Sequence, residues 1–219
     1  MTAGIVARAD RQAPMTPDYW ARACAELAAA DAALGGLIAC YKGEILMSRS
    51  DPFATLARSI VGQQISVKAA DSVWSRFAGA LPELTPAAVC ALSPTALRAC
   101  GLSARKVEYL ADLARHFVEG RIHVARWRAM EDAEIIAELT AVRGIGVWTA
   151  QMFLIFNLLR PDVYPLDDIG LQKGVARLHF AGERPSRRQL AEAGERWRPW
   201  RSVATWYLWR SLDPLPVAY

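Results

Sequence analysis

The sequence predicts an all-α protein, and three observations carry that expectation. An N-cap side chain stands directly before a proline at Thr16-Pro17, Asp51-Pro52, Thr85-Pro86 and Ser93-Pro94. Proline suits a first helical turn, where its missing N–H leaves no bond unmade. Apolar residues recur at helical spacing, as at Val107, Leu110, Leu113, Ala114 and Phe117, with Gly120 placed to close that helix. Stretches that alternate apolar and polar residues, as a half-buried strand requires, are almost absent.

Taken in order, the caps and periods predict helices near 17–30, 52–62, 66–79, 86–91, 94–99, 104–118, 131–139, 147–159, 169–178, 187–195 and 201–211. The alanine-rich stretch at 21–33 favours helix by propensity alone. Gly35-Gly36 and the segment Arg160 to Asp167 read as the two main irregular connections. The second holds Pro161, Asp162, Tyr164, Pro165 and Asp167 and runs into Asp168, which makes it the loop in which to look for chemistry.

Composition narrows the class further. A chain of 219 residues, 53% of them hydrophobic and 22% charged, can bury a core and is too apolar for intrinsic disorder. The 26 basic against 22 acidic side chains leave a net charge of +4, which fits an acidic partner such as nucleic acid without requiring one. The longest uncharged stretch, Gly144 to Leu159, falls short of the ~20 residues of a membrane span. Met1 to Asp18 mixes charges with prolines, so it reads as a loose start with no secretory signal, and the chain as soluble and cytoplasmic. Four cysteines, Cys24, Cys40, Cys90 and Cys100, lack metal-ligand spacing and read as free thiols.

The most informative segment is Leu139 to Ala150, in which a helical pattern is broken at Gly144-Ile145-Gly146 and resumes at once. It reads as helix, tight hairpin, helix. Both glycines are expected to permit positive φ and close backbone approach, and the amides that open the second helix suit an anion such as a DNA phosphate. By spacing alone, a plain helix–helix turn fits equally well.

Context resolves this choice, because the segment resembles the helix-hairpin-helix motif of the DNA glycosylase superfamily. Three further motifs follow the same family, its 3-methyladenine DNA glycosylase II branch in particular. Ile60-Val61-Gly62-Gln63-Gln64-Ile65-Ser66 is similar to its Gln-Gln-Ile-Ser helix junction, and Gly101-Leu102-Ser103-Ala104-Arg105-Lys106 to its second hairpin-like turn. Trp197-Arg198-Pro199-Trp200-Arg201-Ser202 resembles its C-terminal signature. The resemblance spans roughly Asp51 to Leu212. Arg143 departs from it, standing where many family hairpins have proline, and no β-rich amino-terminal domain of the kind some members carry is visible in Met1 to Ser50. The implied fold is the compact all-α form of the helix-hairpin-helix DNA glycosylase fold. It would be a single domain over 1–219, with one helical lobe at about 52–165, a second at about 17–50 plus 169–212, and a central cleft between them.

Asp167 and Asp168 enter the next helix side by side, and on residue type alone both serve as helix caps. The resemblance makes one of them the family's catalytic carboxylate. Its register, an aliphatic residue three positions on and a basic one two further, selects Asp168, with Leu171 and Lys173, and leaves capping or loop support to Asp167. A fixed carboxylate there would stabilise the oxocarbenium-like sugar formed as an N-glycosidic bond breaks. Bifunctional relatives carry a lysine nucleophile where this chain has Trp148, which implies a monofunctional enzyme. Trp148 and Trp209 match positions that line the base pocket, where an indole face suits a cationic alkylated purine. Trp197, Trp200 and Trp206 read as core.

Base flipping implies residues that enter or grip the duplex. The resemblance places Gln63, Gln64, Ser66, Leu102, Ser103, Gly144, Gly146 and Thr149 at DNA, with Gln64 plugging the stack and Leu102 and Ser103 bracing the other strand. It places a monovalent cation, Na+ or K+, on the backbone carbonyls of Thr140, Val142 and Ile145, with no other cofactor required. His116, His123 and His179 match nothing in the family. The expected activity is excision of alkylated purines (3-methyladenine, 7-methylguanine type) from double-stranded damaged DNA by a monomer with no membrane partner. The alternatives are a noncatalytic helix-hairpin-helix DNA-binding protein, which needs the hairpin but not Asp168, and a sibling glycosylase for another damaged base.

Overall fold

A computed structural model of the chain describes residues 16–48 and 51–212. The loose start expected for Met1 to Asp18 lies, up to residue 15, outside the described residues. Among the described residues all regular structure is helical: α1 (Trp20–Ala30), α2 (Ala32–Cys40), α3 (Pro52–Gly62), α4 (Val67–Gly79), α5 (Pro86–Ala91), α6 (Pro94–Ala99), α7 (Ala104–Val118), α8 (Asp132–Thr140), α9 (Val147–Phe156), α10 (Ile169–His179), α11 (Arg187–Glu195) and α12 (Arg201–Leu212). A single 3-10 segment, Val124–Ala129, joins α7 to α8.

Most helices start where a side-chain oxygen can take an unpaired amide. Asp51, Ser66, Thr85, Ser93, Ser103 and Ser186 each accept the N–H three residues on, worth about 1 kcal/mol apiece. Gly120, with φ +67, closes α7. Thr16-Pro17 starts no helix, because the Trp20 N–H bonds the Pro17 carbonyl in a turn and α1 begins at Trp20 without a side-chain cap. α9 stops at Phe156 and not at 159, where Leu159 takes φ +53 and the Arg160 N–H turns back to the Leu154 carbonyl.

The largest departure from expectation is α2, which contains the glycine pair read as a connection. Asp31 caps it by accepting the Ala33 and Leu34 amides at 3.1 Å. A Cβ on Gly35 would lie 3.1 Å from the Ala28 Cα, so this glycine lets α2 lie against α1. It is a packing residue. The segment carries no polar face to produce a helical period, which is why periodicity missed it.

The helices pack in two sets: α1 and α2 with α10, α11 and α12, and α3 to α9 around α3 and α7. α9 is apolar over most of its surface and, past an exposed first turn at Val147 and Trp148, buries Ala150, Met152, Phe153, Leu154 and Ile155, so its body is interior. The sets join where Phe156 of α9 stacks on Trp209 of α12, ring centroids 5.5 Å apart. Nearby, the Tyr19 hydroxyl donates to the Leu159 carbonyl and the Ser48 hydroxyl to that of Asn157, both at 2.6 Å. Trp197, Trp200 and Trp206 are buried, as their reading as core requires.

Asp31 does more than cap α2. Its other oxygen accepts the Trp197 indole N–H at 2.9 Å and lies 2.9 Å from His179 Nε2 at the end of α10. His116 bonds the Asp112 carbonyl from within the core and His123 pairs with Glu138, so all three histidines have structural partners. Burial pushes the Asp31 carboxyl up, but the Trp197 and Leu34 donors and His179 together hold it below the ordinary carboxylate range. Its stabilisation is therefore complete above the ordinary value and disappears as pH falls through the lowered one. Asp31→Ala is expected to cost about 2–3 kcal/mol, a lost cap plus an orphaned buried indole donor. Paired urea melts at pH 7 and pH 3 would show a smaller difference from the parent protein at the lower pH.

Candidate active site

The site starts from a loop that is fastened at each step. Between α9 and α10 the chain is tied to α12 by the Val163 N–H on the Ser202 hydroxyl (2.9 Å) and by Asp162, which accepts Arg201 Nε at 2.7 Å. Tyr164 reaches α11, donating to the Leu190 carbonyl at 3.0 Å, and its ring fills the space beside Gly194 that a Cβ would occupy. Burial pushes the Tyr164 phenol well above its usual range, so it acts as a neutral donor. The loop thus delivers Asp168 to the start of α10 with little freedom.

Asp168 caps α10: its Oδ1 accepts the Leu171 N–H at 2.6 Å. Sequence reasoning left capping or loop support to Asp167; the capping half is corrected, since Asp168 is the N-cap and Asp167 is exposed and pairs with Arg187. Two more donors converge on Asp168, the Trp209 indole N–H on Oδ1 at 2.7 Å and the Trp148 indole N–H on Oδ2 at 2.9 Å. The residue is 8% exposed, and among the described residues no lysine, arginine or histidine forms an ion pair with it. The structure therefore presents a carboxyl group fixed by three neutral donors, one from its own helix and one from each set of helices. The resemblance marks both tryptophans as pocket walls; that their indoles also aim the carboxylate depends on a convergence no local pattern discloses. Trp148 remains 40% exposed, and Trp209 is backed by Phe156.

The hairpin lies between α8 and α9. Gly144 has φ +87, and a Cβ there would fall 2.2 Å from the Tyr109 ring of α7, so glycine is required twice over. Gly146 differs from expectation: it is the N-cap of α9 with φ −92, an ordinary conformation, and a Cβ added to it would meet nothing within 4 Å. The space beside it is open. The hairpin is held from below by Asp112, whose Oδ2 accepts the Arg143 N–H at 2.9 Å, and by Gln63, whose Nε2 donates to the Gly144 carbonyl at 2.8 Å. Asp112 and Tyr109 were not singled out from the sequence, where they are simply polar and aromatic positions on an amphipathic helix.

Three turns share one local design. Gln64, Gly101 and Gly144, at φ +59, +92 and +87, are each followed by an aliphatic residue and then by the extended N-cap of a new helix, Ser66, Ser103 or Gly146. Lys106 Nζ joins the α7 turn to the Val61 carbonyl of α3 at 2.7 Å, and Arg76 of α4 holds the Cys100 carbonyl at 2.9 Å. The aliphatic residue is an anchor in two of them, Leu102 at 2% exposure and Ile145 at 4%, whereas Ile65 is 40% exposed. Leu102 is therefore corrected: its side chain belongs to the core and does not brace a strand. Ser103 beside it is exposed, as are Gln64 and Ser66, while Gln63 and Thr149 are half-buried. A groove of about 580 Å3 beside α5 and α7, lined by Val89, Leu92, Arg98 and Val107 among others, shares no residue with the Asp168 site.

Comparison with known proteins agrees with this geometry. Residues 57–199 match the family described as HhH-GPD superfamily base excision DNA repair protein. A "DNA-3-methyladenine glycosylase 1" of Schizosaccharomyces pombe is 34% identical over 80% of this chain and 78% of its own. The crystal structure of a DNA-3-methyladenine glycosidase from Bacillus halodurans superposes with a TM-score of 0.83 at 33% identity, covering 92% of this chain and 93% of that one. An S. pombe 3-methyladenine DNA glycosylase in complex with abasic DNA gives a TM-score of 0.76 at 31% identity, over 90% and 99%. With the all-helical architecture, the fastened hairpin and the gripped aspartate in place, the chain belongs to the HhH-GPD superfamily of base excision DNA repair proteins.

Proposed function

We propose that the chain is a monofunctional DNA glycosylase that excises alkylated purines from double-stranded DNA, acting as a monomer on a nucleotide flipped out of the helix. The observation that carries this reading is the Asp168 carboxylate, fixed by three neutral donors and, among the described residues, unpaired with any cation. As the C1′–N bond breaks, its electrons leave with the base and positive charge builds on the sugar. Asp168 offsets that charge, water adds at C1′ and releases its proton to the solvent, and an abasic site remains. An alkylated purine already carries positive charge and departs neutral, so no general acid is needed. The exposed face of Trp148 suits such a base by cation–π attraction. The relatives named for 3-methyladenine excision favour this reading over a noncatalytic DNA-binding protein and over a sibling acting on another lesion.

The hairpin, with Gly146 open to approach, and the exposed turn residues Gln64, Ser66 and Ser103 supply the grip on the backbone. Gln64 stands in a left-handed conformation that a side-chain-bearing residue adopts at some cost, in keeping with a functional position at the tip of its turn. Gln63 serves the hairpin from within. The carbonyls of Thr140, Val142 and Ile145 fit a Na+ or K+ ion as hard oxygen donors. That of Val142 accepts the Ile145 N–H at 3.1 Å and keeps a second lone pair, while the Thr140 hydroxyl is occupied by the Ile136 carbonyl. Lyase chemistry has little to work with: Trp148 carries no amine, and Lys106 spends its amine on the Val61 carbonyl.

Asp168→Asn should lower base release by at least about a hundredfold, the ~3 kcal/mol of one preorganised electrostatic contact. An amide must also turn a donor toward one of the donors around it, so a further loss of about 1 kcal/mol in stability is expected. Asp167→Asn, altering an exposed pair with Arg187, should keep most activity. Rates of free-base release from a 7-methylguanine duplex distinguish them, and exchanged phenotypes would move the reacting carboxylate to Asp167.

The two hairpin glycines should separate folding from grip. Gly144→Val meets both positive φ and the Tyr109 ring and should lower the melting temperature. Gly146→Val should fold normally yet weaken binding to all duplexes alike, a phosphate-contact effect. Full-strength binding by Gly146→Val in a salt titration would contradict the hairpin's role. Borohydride added during turnover should trap no protein–DNA adduct; a trapped adduct would point to a lysine nucleophile and a bifunctional enzyme.

A further inference from the structure

Gly170 is the second residue of α10, two positions after Asp168. Its φ lies outside the left-handed region, so the backbone does not call for glycine, and alanine is the better helix former. Something else must exclude a side chain. A Cβ on residue 170 would stand 2.8 Å from Trp209 Cδ1, 2.9 Å from its Nε1 and 3.0 Å from Asp168 Oδ1. These include the donor and the acceptor of the 2.7 Å bond between Trp209 and Asp168. The indole cannot simply step aside. Its face is stacked on Phe156 at an interplanar angle of 12°. One turn along α10, a Cβ on Gly174 would fall 2.8 Å from Leu208 Cβ and 3.2 Å from its carbonyl oxygen, so α10 and α12 are already in close contact beside the indole.

We infer that Gly170 is a positioning residue for excision: the missing side chain admits the Trp209 N–H to Asp168 and so fixes the carboxylate's orientation. The inference rests on the reading of Asp168 as the reacting carboxylate. A methyl group at 170 moves the indole off its bond, leaves Oδ1 with only the Leu171 amide, and frees the carboxylate to rotate about the remaining contacts. The ring that shifts also walls the space in which a base would sit, so the loss falls on the chemical step and not on the grip of the duplex.

The test measures single-turnover release of 7-methylguanine from a duplex, with duplex affinity measured separately, for Gly170→Ala, Trp209→Leu, their combination and Asp168→Asn. Gly170→Ala should lower the maximal rate tenfold or more, while duplex affinity stays within about twofold. In the Trp209→Leu background, where no ring opposes the methyl group, the same substitution should change the rate less than twofold, a non-additivity that a general loss of helix packing would not produce. If Gly170→Ala alone does not fold, a combined variant that folds and matches Trp209→Leu supports the inference equally. Gly170→Ala that keeps the full rate, or that costs the same in both backgrounds, overturns it, as does a combined variant that stays unfolded. An undiminished rate in Asp168→Asn removes the underlying reading and this inference with it; an inactive Asp168→Asn beside an unimpaired Gly170→Ala removes this inference alone.

Discussion

The carboxylate of Asp168 is both the cap of α10 and the acceptor of two indole N–H groups, one from each set of helices. Those contacts make local and global structure inseparable at this point. The cap is satisfied only if α10 starts at Ile169, and the indoles reach it only if α9 and α12 are both docked. Buried carboxylates without a cationic partner are costly, and here the cost is met by donors whose positions are fixed by the fold. The loop fastened through Val163, Tyr164 and Asp162 and the Phe156–Trp209 stack serve that same end. A site assembled in this way has its polar groups oriented before any substrate arrives, which is the condition under which electrostatic stabilisation is strongest.

What was legible in the sequence follows the range of the interactions. Ser, Thr and Asp caps act over three residues, so α3 to α7 were readable to within a residue from Asp51, Ser66, Thr85, Ser93 and Ser103. α2 was not, because a helix apolar on nearly all sides has no period and its Gly35 is chosen by a neighbour, Ala28, seven residues back in the chain but in contact in space. The same blindness explains Leu102 and Gly146. Burial of the first depends on how α7 docks, and the conformation of the second depends on where the hairpin's left-handed residue falls, which is Gly144 alone.

The site divides along the same line. Register against a known family selected Asp168 from a pair that residue type could not separate, and it marked Trp148 and Trp209. It could not show that the two rings point their N–H groups at one carboxylate, since residues 148, 168 and 209 meet only through tertiary packing. Residue type also could not show that Asp168 itself caps α10, while Asp167 is left to an exposed pair with Arg187. The supports of the hairpin, Asp112 and Tyr109, were invisible for the opposite reason: their residue types are ordinary for the helix they occupy.

The three turns of shared design have a consequence for how this surface carries charge. Each opens a helix whose first amides have no partner within the helix, and these amides carry a partial positive charge that belongs to the main chain. Such charge has no pKa and cannot be titrated away within the range in which the fold survives. Nor can a single side-chain substitution reverse it. The face is therefore tolerant of exchange among its exposed residues and vulnerable to whatever unwinds a first turn, so its durability is set by the caps at Ser66 and Ser103 and by the fastening of the hairpin more than by its lysines and arginines.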